Sequence, residues 1–203
     1  MKNKNIYLYG AGGHAKVVMD ILDACRMQTA GIVDDAPTLE EFMGYKVAHE
    51  FTKEAEYIIS IGNCNIRKKV AEKLSNGGCS FATAIHPSAT VSPHAGIEEG
   101  SVVMQGAVIQ SCAHIGRHCI VNTNASVDHD CKIEDFVHIA PGATLCGEVC
   151  VGAGSWIGAG AVVIQGVKIG EGCMIGAGAV VCSDIPDGVV ANGNPCKVKR
   201  RND

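Results

Sequence analysis

From Ile85 to Val181 every sixth residue is Ile, Val or Leu, seventeen positions without a break. Two places before each lies a second series, from Thr83 to Ala179, whose members are all small or β-branched. Neither the 3.6-residue helical period nor two-residue strand alternation produces this spacing. One large and one small inward residue per hexad predict a parallel β-helix, each hexad giving a short strand and a turn. Three hexads close a triangular coil, so the run makes about 5.7 coils, roughly 27 Å long at about 4.8 Å per coil. Gly116, Gly152, Gly158, Gly170 and Gly176 directly follow the aliphatic position. Backbone freedom is expected to ease the corner at these five.

The first eighty residues follow another pattern, βαβαβα. Strands are expected at 6–9, 29–33 and 57–61, helices at 15–25 and 67–74, and a last strand from Cys79 toward Ile85. The turn after the first strand reads Gly10-Ala11-Gly12-Gly13-His14, and the second strand ends in Asp34-Asp35. A glycine-rich turn opening a helix offers backbone N–H groups to a phosphate, and an acid about twenty residues on commonly holds a ribose hydroxyl. A dinucleotide site spans two βαβαβ halves, and one is present here. A mononucleotide or nucleotide diphosphate therefore fits better. Gly62, closing the third strand, falls on the same carboxyl edge. The basic run Arg67-Lys68-Lys69 is expected on a solvated helix face.

Composition separates the same two regions. Seven of the nine aromatics lie in residues 1–81, and seventeen of the 25 glycines lie in 82–203. Two domains follow, 1–81 and 82–203. A net charge of −4 gives no electrostatic footprint for nucleic acid. No apolar run approaches the length of a membrane span, and the N-terminus reads as a first strand rather than a leader. Eleven cysteines without a C-x-x-C spacing suit reduced thiols in a cytoplasmic protein. Cys119, Cys131 and Cys173 fall in the small inward series and are expected to act as fillers.

The hexad repeat resembles that of the hexapeptide-repeat acyltransferases, which implies left-handed coils and a homotrimer with active sites between subunits. The whole chain resembles the PglD/NeuD-type sugar acetyltransferases. The resemblance rests on the Gly12-Gly13-His14 turn, Asp34-Asp35 and the Ile61-Gly62-Asn63 segment. It also rests on the stretch from Asn122 through His129-Asp130 to Phe136 and His138, and on the ending from Ile185 to Lys197. It implies a Rossmann-like βαβαβ domain followed by a left-handed parallel β-helix, an α/β + β fold using acetyl-CoA. By the resemblance His129 is the general base and Asp130 raises its basicity. His138 contacts acetyl-CoA, while Gly12, Gly13, His14, Asp34, Asp35 and Gly62 hold a nucleotide sugar.

The spacing itself also favours His129. Two residues past inward Val127 it points out of the prism, with Gly147 one coil above and Ser111 one coil below. A bare glycine beside an imidazole leaves room for a thioester and an N–H for an oxyanion. His138 stacks beneath Trp156, and the pantetheine arm is expected near Ala159 and Ala177. His86, His94, His114 and His118 are expected at the surface, as is the basic ending from Lys197 to Arg201. No metal is expected.

The expected reaction is acetylation of the 4-amino group of a UDP-linked amino-deoxy sugar. O-acetylation of a sialic-acid-like sugar is the alternative within the class. A carbonic anhydrase of the same fold would need three histidines on zinc, and a nucleotide-sugar sensor would need no base at all.

Overall fold

The computed structural model describes residues 5–202. The N-terminal unit runs β1 (Asn5–Tyr9), α1 (Gly13–Ala24), β2 (Gln28–Val33), β3 (Glu41–Phe42), β4 (Tyr45–Ala48), β5 (Glu56–Ile59), α2 (Cys64–Asn76) and β6 (Ser80–Phe81). Its sheet has the order β3-β4-β2-β1-β5-β6 and is parallel except for the β3–β4 hairpin, which the apolar pattern did not anticipate. α1 buries Val18, Ile21 and Leu22, and α2 buries Arg67, Val70, Ala71 and Leu74 on one stripe. Among the described residues no helix is long and apolar enough to cross a membrane.

The second unit is a β-helix of seventeen two-residue strands, from β7 (Ala84–Ile85) to β23 (Val180–Val181). They stack in three parallel faces with an eighteen-residue step, as the hexad phase requires. The first face runs Ile85, Val103, Val121, Ile139, Ile157 and Ile175. The second carries Val91 to Val181, and the third Ile97 to Ile169. The aliphatic series from Val103 to Val181 is at most 2% exposed and forms one core with the small series. β24 (Val189–Asn192) and the antiparallel edge strand β25 (Lys197–Arg201) extend the first face.

The corners differ from the expectation. The left-handed backbone falls three residues after each inward aliphatic, at every corner from Gly100 to Gly178, with Cys112, His118, Asn124, Asp130, Phe136 and Glu148 among the occupants. The five glycines directly after the aliphatic have no positive φ. They are needed because coils stack closely: a β-carbon on Gly158 would lie 2.5 Å from the Ala177 nitrogen.

The N-terminal unit sits on the first face. Val18, Ile21 and Leu22 share a core with Val102, Met104 and Ile120, whose side chains point out of that face.

Candidate active site

The six residues expected to hold a nucleotide sugar line one cleft of about 420 Å³: Gly12, Gly13, His14, Asp34, Asp35 and Gly62. β1 ends at the carboxyl edge, and Gly10 (φ +107°) turns where a β-carbon would strike Ile61. Gly12 is the N-cap of α1, and space is open around it and Gly13. Asp34 braces this turn, accepting from the N–H of Ala11 and of Ala36, both at 2.8 Å. Asp35 accepts from the Tyr9 hydroxyl (2.7 Å) and pairs with Lys73 (3.0 Å). Both acids thus have partners within the chain, one holding the turn and one tying β2 to α2.

Beneath the cleft, the two units are joined by Arg67. Its side chain is 1% exposed and donates to Ile61 O (2.9 Å), Gly62 O (2.8 Å), His118 O (2.8 Å) and Phe136 O (2.7 Å). The expected solvated position is therefore wrong for Arg67. The position falls three, four and seven residues before Val70, Ala71 and Leu74, which is the apolar stripe of α2. His118 also departs from expectation. It is 5% exposed, stacked on Phe136 with ring centroids 5.1 Å apart and edge-on to Phe81 at 4.4 Å.

His138 is buried too, its ring 4.0 Å from that of Trp156 and 6.2 Å from that of His14. Its Nδ1 meets Gly62 O at 3.1 Å and its Nε2 meets Asn122 Nδ2 at 3.0 Å. With both nitrogens engaged, only ring carbons remain for any contact with acetyl-CoA. Burial, reinforced by the Arg67 charge, lowers His14 and His118 to about 4 and His138 to about 3. All three are neutral at pH 7. The His14 Nε2 is buried without a hydrogen-bond partner and belongs to the cleft wall.

His129 contrasts with these. Its side chain is 55% exposed, and Nδ1 lies 2.8 Å from Asp130 Oδ2. A carboxylate accepts, so Nδ1 carries the proton and Nε2 presents a lone pair. The hydrogen bond to Asp130 raises the pKa of His129 above its usual value, and the charges of Asp128, Asp130 and Glu148 add to this. Asp130 takes the left-handed corner position (φ +58°), which aligns its short side chain with the imidazole. Gly147 lies one coil above as expected. Its N–H makes no hydrogen bond among the described residues.

Ala159 and Ala177 line a groove of about 470 Å³ with Pro141, Trp156, Met174 and Asn63. Their N–H groups have no partner among the described residues. This groove follows the edge between the first and second faces, near the cleft lined by Gly12, His14 and Gly62. His129 lies on the edge between the second and third faces, across the prism from the face that carries the N-terminal unit.

The remaining candidates are peripheral. His94, His114 and the whole of β25 are exposed, and His86 is half-buried against Ser88. Burial pushes the Cys119 thiol up to about 12 and the Cys131 thiol to about 11, as fits core fillers. Among the described residues there is no group of three or more His, Cys, Asp or Glu side chains placed to hold a metal ion.

A family model described as the PglD N-terminal domain matches residues 5–74, and bacterial transferase hexapeptide repeats match 112–147 and 149–183. GDP-perosamine N-acetyltransferase of Escherichia coli O157:H7 is 34% identical over 97% of both chains. UDP-N-acetylbacillosamine N-acetyltransferase of Bacillus subtilis is 42% identical over about half of each. Among solved structures, a mutant perosamine N-acetyltransferase from Caulobacter crescentus, in complex with CoA and GDP-perosamine, superposes with a TM-score of 0.91 at 40% identity, covering 96% of both chains. The acetyltransferase domain of PglB from Neisseria gonorrhoeae, also solved with acetyl coenzyme A, is 40% identical and covers 97% of this chain, with a TM-score of 0.90. The chain belongs to the PglD-type sugar N-acetyltransferases, enzymes that draw their acetyl group from acetyl-CoA.

Proposed function

We propose that this chain acetylates the 4-amino group of a nucleotide-linked amino-deoxy sugar. The observation that carries the chemistry is the His129–Asp130 pair (2.8 Å) beside the unpaired N–H of Gly147. The sugar amine attacks the thioester carbonyl while His129 Nε2 takes its proton. The N–H of Gly147 stabilises the tetrahedral oxyanion. The C–S bond then breaks, and the proton passes to the departing CoA thiolate. Asp130 keeps the proton on Nδ1 and stabilises the imidazolium as it forms. No step calls on a metal.

Sequence alone suggested a UDP carrier. Of the relatives whose names carry a nucleotide-linked sugar, those naming GDP-perosamine match along nearly the whole chain, and the one named for a UDP-linked sugar matches about half. This moves the proposal to GDP, with UDP second. The N–H groups of Ala159 and Ala177 suit the amide oxygens of a pantetheine arm.

The cleft and His129 lie on opposite sides of one prism, so one chain does not complete the site. A closed trimer, in which the cleft and groove of one subunit meet His129 of the next, satisfies the geometry. A reducing cytoplasm suits the chain's eleven free cysteines.

An acceptor panel tests the reading: GDP- and UDP-linked 4-amino sugars against free sialic-acid-like sugars, with acetyl-CoA. Formation of the amide on a nucleotide-linked sugar supports it. Turnover of the hydroxyl acceptors alone transfers the proposal to O-acetylation. Stoichiometric zinc in active protein with bicarbonate turnover would sink both.

A further inference from the structure

The loop Ile61-Gly62-Asn63 is held from beneath by groups of both units. The Thr123 N–H donates to Asn122 Oδ1 at 2.8 Å, which fixes the amide so that its Nδ2 donates to His138 Nε2 at 3.0 Å. That nitrogen is therefore the acceptor, and the ring proton sits on Nδ1. Nδ1 donates to Gly62 O at 3.1 Å. The same carbonyl accepts from Arg67 Nη1 at 2.8 Å, and Ile61 O accepts from Nη1 at 2.9 Å. Across a trans peptide the carbonyl and the following N–H point in opposite directions. Drawing the Ile61 and Gly62 carbonyls down onto Arg67 and His138 turns the N–H groups of Gly62 and Asn63 the other way. Neither N–H has a partner among the described residues. Gly62 lines the nucleotide cleft, and Asn63 lines the groove with Ala159 and Ala177.

We propose that His138 is a positioning residue for the nucleotide edge: the Asn122–His138–Gly62 relay, with Arg67, locks the loop so that the Gly62 N–H faces the diphosphate. This rests on the reading of the cleft as a nucleotide site.

The test is binding, so that it does not depend on knowing the acceptor sugar. GDP, UDP and CoA are titrated separately into wild type, His138→Phe and His138→Asn. Phenylalanine keeps the ring against Trp156 but loses both hydrogen bonds, whereas asparagine keeps a donor where Nδ1 stood. Wild type is expected to bind GDP or UDP. His138→Phe should raise that Kd about tenfold, and His138→Asn should recover most of it, with any change in CoA affinity smaller than the change for the nucleotide. Unchanged nucleotide affinity in His138→Phe, or a loss confined to CoA, overturns the proposal. Wild type that binds neither nucleotide refutes the cleft assignment and the proposal with it. Should His138→Phe not fold, Asn122→Leu removes the same relay from the other end. A nitrogen-15 spectrum of the wild type at pH 7 gives an independent check. It should show His138 as the neutral Nδ1–H tautomer, and the Nε2–H form contradicts the relay.

Discussion

Gly147 stands one coil beyond His129, so close that a β-carbon on it would lie 2.6 Å from the imidazole Cε1 and Nε2. The obstacle is the far end of an exposed side chain, which can swing away without disturbing the coil. Gly147→Ala is therefore expected to fold with a Tm close to wild type. Its kcat should fall about a hundredfold, because the base is displaced from its line of attack. A parallel loss of Tm and kcat would mean that Gly147 serves stacking rather than the reaction.

Asp130 sets the pH dependence. His129 must be neutral to act, and its pKa is raised chiefly by the hydrogen bond to Asp130. In Asp130→Asn the pKa falls, so the rising limb of kcat against pH should move to lower pH. A weaker base should also lower the plateau about tenfold. A limb that stays in place while the plateau drops would assign Asp130 another role.

A site shared between subunits predicts complementation. Gly12 has φ −97° and open space around it, so Gly12→Phe should fill the cleft without unfolding the turn. His129→Asn keeps the cleft and loses the base. Each is expected to be inactive alone. In a cyclic trimer every mixed assembly contains one junction between an intact cleft and an intact base, so random equimolar mixing should restore about a quarter of wild-type activity. No recovery from mixed trimers, isolated with two tags, would place the whole site in one chain.

The buried histidines make the fold acid-sensitive. His14 and His118 lie at about 4 and His138 at about 3, against 6.5 in an unfolded chain. Between pH 6.5 and 4 the unfolded state binds more protons, so stability must fall as pH falls through that window. With all three sites engaged the slope approaches about 4 kcal/mol per pH unit. Denaturant unfolding at fixed protein concentration should show this, and His138→Phe should flatten it by about one proton's share. A stability independent of pH from 6.5 to 5 would contradict the burial of these rings.

The β-helix was legible because its register is periodic: residues eighteen apart in sequence are partners in space, so counting alone stacks Ser111, His129 and Gly147. The corners were less so. Which residue takes the left-handed backbone depends on chain path, and glycine marks both that position and the close approach of coils. Burial at the contact between units was largely hidden. His118 lies outside the inward series, and only the shape of Phe81 and Phe136 around it removes it from solvent. Arg67 was legible in principle, since it shares the stripe of Val70, Ala71 and Leu74, but its charge argued for solvent.

The most direct test is the rate of N-acetylation by His129→Asn with acetyl-CoA and a GDP- or UDP-linked 4-amino sugar, both saturating. The rate should fall about a thousandfold, with the Kd for the nucleotide sugar unchanged. Turnover near the wild-type rate would show that the proton is taken by some other group.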